Sequence, residues 1–150
     1  MTATQTASKT SADLLAAAEA FAPEIAARAA EIEANRFLPQ DIATRFAEAG
    51  FYRLCVPSEY GGLESHPGEL VKVVERIAQA DGSAAWCVFI GATSGLVAAF
   101  LEPSEAKRIF GDPLTTTAGV FAPRGKAVHA NEKGVAGYRV SGRWQWGSGS

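Results

Sequence analysis

Methionine, cysteine and histidine are scarce in this 150-residue chain, which carries one, two and two of them. Cys55 and Cys87 cannot make a disulfide framework; each lies in an apolar run and reads as a reduced core residue, pointing to a cytoplasmic protein. His66 and His129 have no Cys, Asp or second His at metal-ligand spacing, so no metal site is expected. Charge of either sign is in short supply too: 14 basic against 16 acidic residues leave a net −2, with no Lys/Arg-rich run. That excludes an electrostatic footprint for nucleic acid or an anionic membrane. The first eleven residues lack the continuous apolar region of a signal peptide and read as a disordered, solvated tail. Nucleophile-elbow, phosphate-loop and dinucleotide-fingerprint motifs are missing, and no sequence neighbour activates Cys55 as a nucleophile.

What is present is an ordinary globular composition, 47% hydrophobic and 20% charged. At this length roughly two-thirds of the unfolded surface can be buried. Glycine is absent before Gly50, whereas seven of the 15 glycines fall in residues 119–150. Alanine, the strongest helix former, crowds the first half. The chain therefore reads as α+β: a helical bundle over residues 12–111, then the start of an antiparallel β-domain over 112–150, left incomplete.

The apolar spacing predicts a first helix over 11–36, capped by Ser11, with Leu14, Ala18, Phe21, Ile25 and Ile32 on one stripe and a kink or a short break near Phe21 from Pro23. A second helix is expected from Pro39 to Gly50, burying Ile42, Ala43, Phe46 and Ala49. Residues 51–57 read as a short extended piece and 58–62 as a turn. A third helix opens at Pro67, with Leu70, Val73, Val74, Ile77 and Ala80 inward. Residues 83–101 carry no charge over roughly the ~20 residues that span a bilayer. Mid-segment Gly91, Thr93, Ser94 and Gly95, and the lack of flanking basic residues, favour instead a central helix buried on all sides. Residues 103–110 form a fifth helix. Beyond Pro113 the period becomes two, predicting strands over 114–121, 126–130 and 137–146. Three strands with an open edge make a poor end to a domain, so the chain is expected to be the N-terminal part of a longer protein.

Without a proton-transfer constellation, the remaining chemistry belongs to backbone amides, small hydroxyls and aromatics, which suit a planar cofactor such as a flavin. The ends of the predicted strands, around Val120 and Phe121 and around Trp146 and Ser148, can supply donors and a flat apolar surface; strand tryptophans also serve commonly as packing.

Four segments carry a family resemblance: AGFYRLCVPSEYGG (49–62), ERIAQADGSAAW (75–86), AGVFAPRG (118–125) and YRVSGRWQWGSG (138–149). In this order they resemble the N-terminal part of the acyl-CoA dehydrogenase superfamily, particularly its flavin-dependent monooxygenase branch. The resemblance implies a helical N-terminal domain, a central β-domain and a C-terminal four-helix bundle, of which this chain has the first and the start of the second. It implies a flavin cofactor, FAD or reduced FMN or FAD supplied by a reductase. It also implies a small-molecule substrate, acyl-CoA or aromatic, and a homotetramer for the full-length protein. Backbone around Val120 and Phe121 would face the flavin pyrimidine, Trp146 the ring, and Ser148 the edge near N5. Phe121-Ala122-Pro123 keeps the proline of the family's T-E-P motif but loses its hydroxyl and acid, which favours the monooxygenase branch. The catalytic residues are expected beyond residue 150. A non-catalytic helical interaction module is the alternative reading.

Overall fold

The computed structural model describes residues 9–148. Helix α1 (Ser11–Ala27) starts one residue away from expectation: Thr10, not Ser11, is its cap. The Thr10 amide and hydroxyl donate to Asp13 Oδ2 at 2.8 and 2.7 Å, and the Asp13 amide donates back to Thr10 Oγ1 at 3.2 Å. That is a reciprocal cap with the carboxylate at the positive end of the helix. No break in the helix falls near Phe21. Pro23 lies on the exposed side and α1 runs through it; the break falls at Arg28, whose amide is shared between Glu24 O and Ile25 O. Arg28 is fixed there by Glu31 and Asp41 at the start of α2 (Ala29–Asn35) and α3 (Gln40–Ala49). The anticipated stripe is observed, with Leu14, Ala18, Ile25 and Ile32 buried and Phe21 half-buried.

Gly50, at φ +90°, terminates α3, and the next residues are not extended: Phe51–Arg53 form one 3-10 turn. Phe51, Phe46 and Phe21 meet edge-on, with ring centroids 5.0–5.8 Å apart. Helix α4 (Pro67–Ala78) turns Leu70, Val73 and Ile77 inward, packing between α1 and α5 (Gly82–Ser94). Asp81 caps α5, its Oδ1 accepting from the Ala84 amide at 2.7 Å.

The expected single helix over 83–101 is α5 followed by a 3-10 segment, Gly95–Phe100. Together they bury a larger share of their residues than α4 does, yet they are not buried on all sides. Ala84, Ala85, Val88, Ala92 and Ala98 enter the core while Trp86, Leu96, Val97 and Phe100 face outward. Small residues do the burying, because α5 lies too close to its neighbours for large ones. By length and composition Gly82–Phe100 could cross a bilayer, and 44% of its most apolar window is buried inside the protein. Helix α6 (Pro103–Phe110) closes the helical part, setting Phe110 beside Val56 and Ala98 in a small second core.

Beyond α6 the strand expectations change. Residues 114–121 form no strand among the described residues, despite their threonines; they cross the bundle as an irregular strap with no partner to pair with. The sheet has two strands, β1 (Gly125–Glu132) and β2 (Val135–Gly142), antiparallel with His129 opposite Tyr138. Lys133 and Gly134, at φ +52° and +83°, make the tight turn whose twist suits a two-residue hairpin. The second strand stops at Gly142, so Trp144 and Trp146 do not alternate along it. Trp144 instead folds back over Gly125 and Gly142, where a Cβ would lie 2.4 and 2.7 Å from its ring.

Candidate functional site

The turn after α3 organises the surroundings of a large cleft. A 3-10 turn has three residues per turn, so successive side chains leave it about 120° apart. Phe51 goes into the aromatic trio, Tyr52 toward α5 and Arg53 toward α6. Tyr52 lies in a notch at Gly91, where a Cβ would sit 2.5 Å from its ring; four residues on, Val56 fills the matching notch at Gly95, again at 2.5 Å. Two glycines four residues apart, one on α5 and one opening the 3-10 segment after it, thus receive two side chains four residues apart on the facing segment. Arg53, 4% exposed, donates through Nη2 to Phe110 O at 2.7 Å and to Tyr60 O, and through Nη1 to Asp112 O at 3.4 Å. It ties the end of α6 to the turn before Gly61-Gly62, while its Nε is buried without a partner among the described residues.

These anchors shape a cleft of about 710 Å3. Its walls are the corner Arg36-Phe37-Leu38 between α2 and α3, Thr44 and Ala47 of α3, Cys87 and Gly91 of α5, and Thr116-Thr117 of the strap; Tyr52 and Ser148 also line it. An adjoining cleft of about 660 Å3 shares Arg36, Phe37, Leu38, Cys87 and Ser148 and adds Trp86 and Glu33. Burial pushes the Tyr52 phenol well above its usual range, with the neighbouring Cys87 adding to the shift. Burial also raises the Cys87 thiol, and Asp81 raises it further. Cys55 is shifted up by burial alone. Both thiols are therefore protonated and poorly nucleophilic at neutral pH.

Ser148 is held at the junction of the two clefts by Trp86, whose indole Nε1 donates to Ser148 Oγ at 3.0 Å. Val120 and Phe121 line a smaller cavity of about 320 Å3 with Val97, Ile109 and Phe110. Thr117 borders both this cavity and the large cleft, so the strap connects them. The amides of Val120 and Phe121 make no hydrogen bond with any described residue. Trp146 is 91% exposed, at φ +63°, and lines none of these cavities. The residues singled out from sequence thus fall in three places: Ser148 at the large cleft, Val120 and Phe121 at the small cavity, and Trp146 on the surface. Gly149, beside Ser148, lies outside the described residues. Tyr52, Arg36 and Trp86 line the clefts without having been singled out. The G-x-x-x-G spacing at 91–95 was the available signal for the first of them; an arginine in a polar corner gives no signal of its own.

Residues 8–105 match the family described as acyl-CoA dehydrogenase, N-terminal domain. The chain belongs to that family. Among curated acyl-CoA dehydrogenase-like relatives it is 34% identical to the indole-3-acetate monooxygenase of Pseudomonas putida, over 83% of this chain and 31% of that protein. It is 33% identical to the pigment production hydroxylase of Rhodococcus erythropolis, over 92% of this chain and 34% of that protein. The HsaA monooxygenase of M. tuberculosis superposes with a TM-score of 0.82 at 31% identity, covering 94% of this chain and 38% of that one. XiaF from Streptomyces sp., solved in complex with FADH2 and glycerol, matches with a TM-score of 0.81 at 30% identity, over 91% of this chain and 34% of that one. The chain therefore spans about a third of the length of these relatives, corresponding to an N-terminal portion of flavin-dependent monooxygenases with the acyl-CoA dehydrogenase fold.

Donors and acceptors on the described residues fit a flavin. Such a ring system needs hydrogen-bond donors at its pyrimidine edge, where negative charge grows on reduction. The unengaged amides of Val120 and Phe121 are donors of that kind. The Ser148 hydroxyl accepts from Trp86 and keeps its own proton free to donate.

Proposed function

We propose that this chain is the N-terminal portion of the oxygenase component of a two-component flavin-dependent monooxygenase that hydroxylates a small aromatic compound. Its likeness to monooxygenases, over most of this chain by sequence and by fold alike, carries the reading. The loss of the hydroxyl and acid at Phe121-Ala122-Pro123 supports it against a dehydrogenase. Reduced flavin, FAD or FMN, comes from a separate reductase and supplies the activation of O2 when bound. The amides of Val120 and Phe121 hold the pyrimidine edge, and Ser148, oriented by Trp86, donates at the edge near N5. In the full-length protein Trp146 would lie against the ring. Residues 12–111 form the helical domain and 112–150 open the central β-domain, whose completion and tetrameric assembly belong to the full-length protein. The two unpaired thiols suit a cytoplasmic location.

Supplied with NADH, a flavin reductase and O2, the full-length oxygenase is expected to convert a phenol or an indole to a product one oxygen heavier, read by mass spectrometry. Anaerobic bleaching of bound flavin by an acyl-CoA would instead establish a dehydrogenase. The isolated 150-residue chain is expected to bind flavin weakly or not at all, and submicromolar binding in a fluorescence titration contradicts the division of the site described here.

A further inference from the structure

Packing explains the ring of Tyr52 and leaves its hydroxyl over. The ring lies in the notch at Gly91, 2.5 Å from where a Cβ would stand, and the residue is only 4% exposed. Beside it Phe21, Phe46 and Phe51 build the aromatic trio with no polar atom on their rings. Buried tyrosines ordinarily find a partner for the hydroxyl. That of Tyr52 makes no hydrogen bond with any described residue. Arg53 Nε is the one side-chain atom among the described residues that is both sealed in and unpartnered. The Tyr52 oxygen is not sealed; it opens on the space that Tyr52 borders, the large cleft.

The chemistry at that point is a donor's. Burial, with Cys87 close by, keeps the phenol protonated, and burial, with Asp81, keeps the Cys87 thiol protonated as well. A hydroxyl and a weakly donating thiol thus border the same space. Surroundings that penalise a negative charge on either group also penalise one on a molecule placed next to them. The matching group is therefore an uncharged acceptor, a carbonyl or hydroxyl oxygen. The remaining lining has mixed character: Thr116 and Thr117 bring hydroxyls from the strap, while Leu38, Ala47 and Leu114 bring apolar surface. At about 710 Å3 the cleft has the size of small-molecule sites, in which a few polar groups fix orientation.

We propose that Tyr52 is a ligand-contacting donor of the large cleft, its ring fixed in the Gly91 notch and its hydroxyl left free to take an uncharged carbonyl or hydroxyl oxygen of a bound molecule. The ring serves the fold, and the hydroxyl serves the ligand. This site stands on the cleft alone; the oxygenase reading above neither supports it nor falls with it.

The test sets two probes of similar shape, acetophenone and ethylbenzene, against the 15N-labelled chain and against its Tyr52→Phe variant, following amide shifts. Only acetophenone has an oxygen that can accept. The ratio of the two affinities, ketone over hydrocarbon, is expected to fall about two- to tenfold in Tyr52→Phe, the span of one neutral hydrogen bond. Taking the ratio cancels the difference in hydrophobicity between the probes, which is common to both proteins. Acetophenone should move the amides of Gly91 and Thr117. Without ligand, Tyr52→Phe should melt no lower than the parent, since it loses an oxygen that the fold does not use. An unchanged ratio overturns the proposal, as does binding of neither probe or shifts confined to other surfaces. A Tyr52→Phe chain that fails to fold, or melts clearly lower, overturns it too, because the hydroxyl would then be serving the fold.

Discussion

Arg53 places a guanidinium in the interior and bonds its two terminal nitrogens to backbone carbonyls rather than to a carboxylate. Two of those carbonyls, Phe110 O and Asp112 O, lie at and just beyond the C-terminus of α6, where the helix leaves its own acceptors open. Replacement by alanine would leave buried carbonyls without donors and remove the aliphatic stem that packs beside them. Arg53→Ala is therefore expected to cost roughly 3 kcal/mol, and Arg53→Met, which keeps the stem, measurably less. Urea denaturation of the two variants checks the order. Equal losses would mean that packing, not carbonyl capture, is what Arg53 supplies. This residue was not legible in the sequence: an arginine inside FYRLCV looks like a solvent-facing position. Only the way a 3-10 turn splays three neighbours shows why it points inward. Leu14, Phe46, Val73 and Ile77 were legible because periodicity alone assigns them a side.

Elements meet closely only where the sequence permits it, and α5 is the clearest case. Alanine is intrinsically favoured over glycine in a helix by about 1 kcal/mol. A Cβ at position 91, however, would lie 2.5 Å from the Tyr52 ring, which is buried and cannot swing away. Gly91→Ala is expected to destabilise the fold by about 1–3 kcal/mol in spite of its helix propensity. Combining it with Tyr52→Leu should recover part of that loss, giving a coupling energy between the two sites in a double-mutant cycle. Additive effects would show that the ring and the notch are independent. The same principle accounts for the incorrect expectation of a helix buried on all sides. A charge-free run reports what can be buried, while the distribution of small and large side chains decides which face is. Ala84, Ala85, Gly91 and Ala92 face the neighbours; Trp86 and Leu96 do not.

The capping of α1 carries a pH dependence of known sign. The hydroxyl and amide of Thr10 hold the Asp13 carboxyl below its ordinary value of 3.8. Hydrogen bonds from Arg28 do the same for Glu31 and Asp41, as those from Ser58 do for Glu64. A carboxyl depressed in the folded state adds stability that is complete above its unfolded pKa and is lost as pH falls through the folded value. Thermal melts should therefore change little from neutrality down to about pH 5 and drop progressively below the ordinary carboxyl values of 3.8 and 4.5. Asp13→Asn should lower stability at pH 7 and match the parent chain more closely at pH 3. A constant difference across that range would remove the cap from the account.

On the scale of the whole molecule, the helical part and the hairpin have very different support. Helices α1, α4 and α5 share one continuous core. No residue of β1 or β2 is buried, and only Ala130 is half-buried. The strand period was readable because alternation needs only local residues. What the strands pack against was not readable, since both faces, with Val128, Val135, Tyr138 and Val140 exposed, find no cover in the chain described here. For the same reason the four residues singled out for flavin are spread over three places. Bringing them together would depend on how 143–148 is laid against the bundle, a path on which the Trp86–Ser148 hydrogen bond is one fixed point. A two-stranded hairpin is marginally stable by itself in water. Hydrogen exchange is accordingly expected to show β1 and β2 amides exchanging at least about 100-fold faster than the amides of Ile25, Val73 and Val88, which open only when the core does. Trp86→Phe, which keeps an aromatic ring and removes the donor, should speed exchange around residues 143–148 while leaving α5 protected. Hairpin amides as slow as those of α5 in a dilute, monomeric sample would show that the hairpin has support beyond its own ladder.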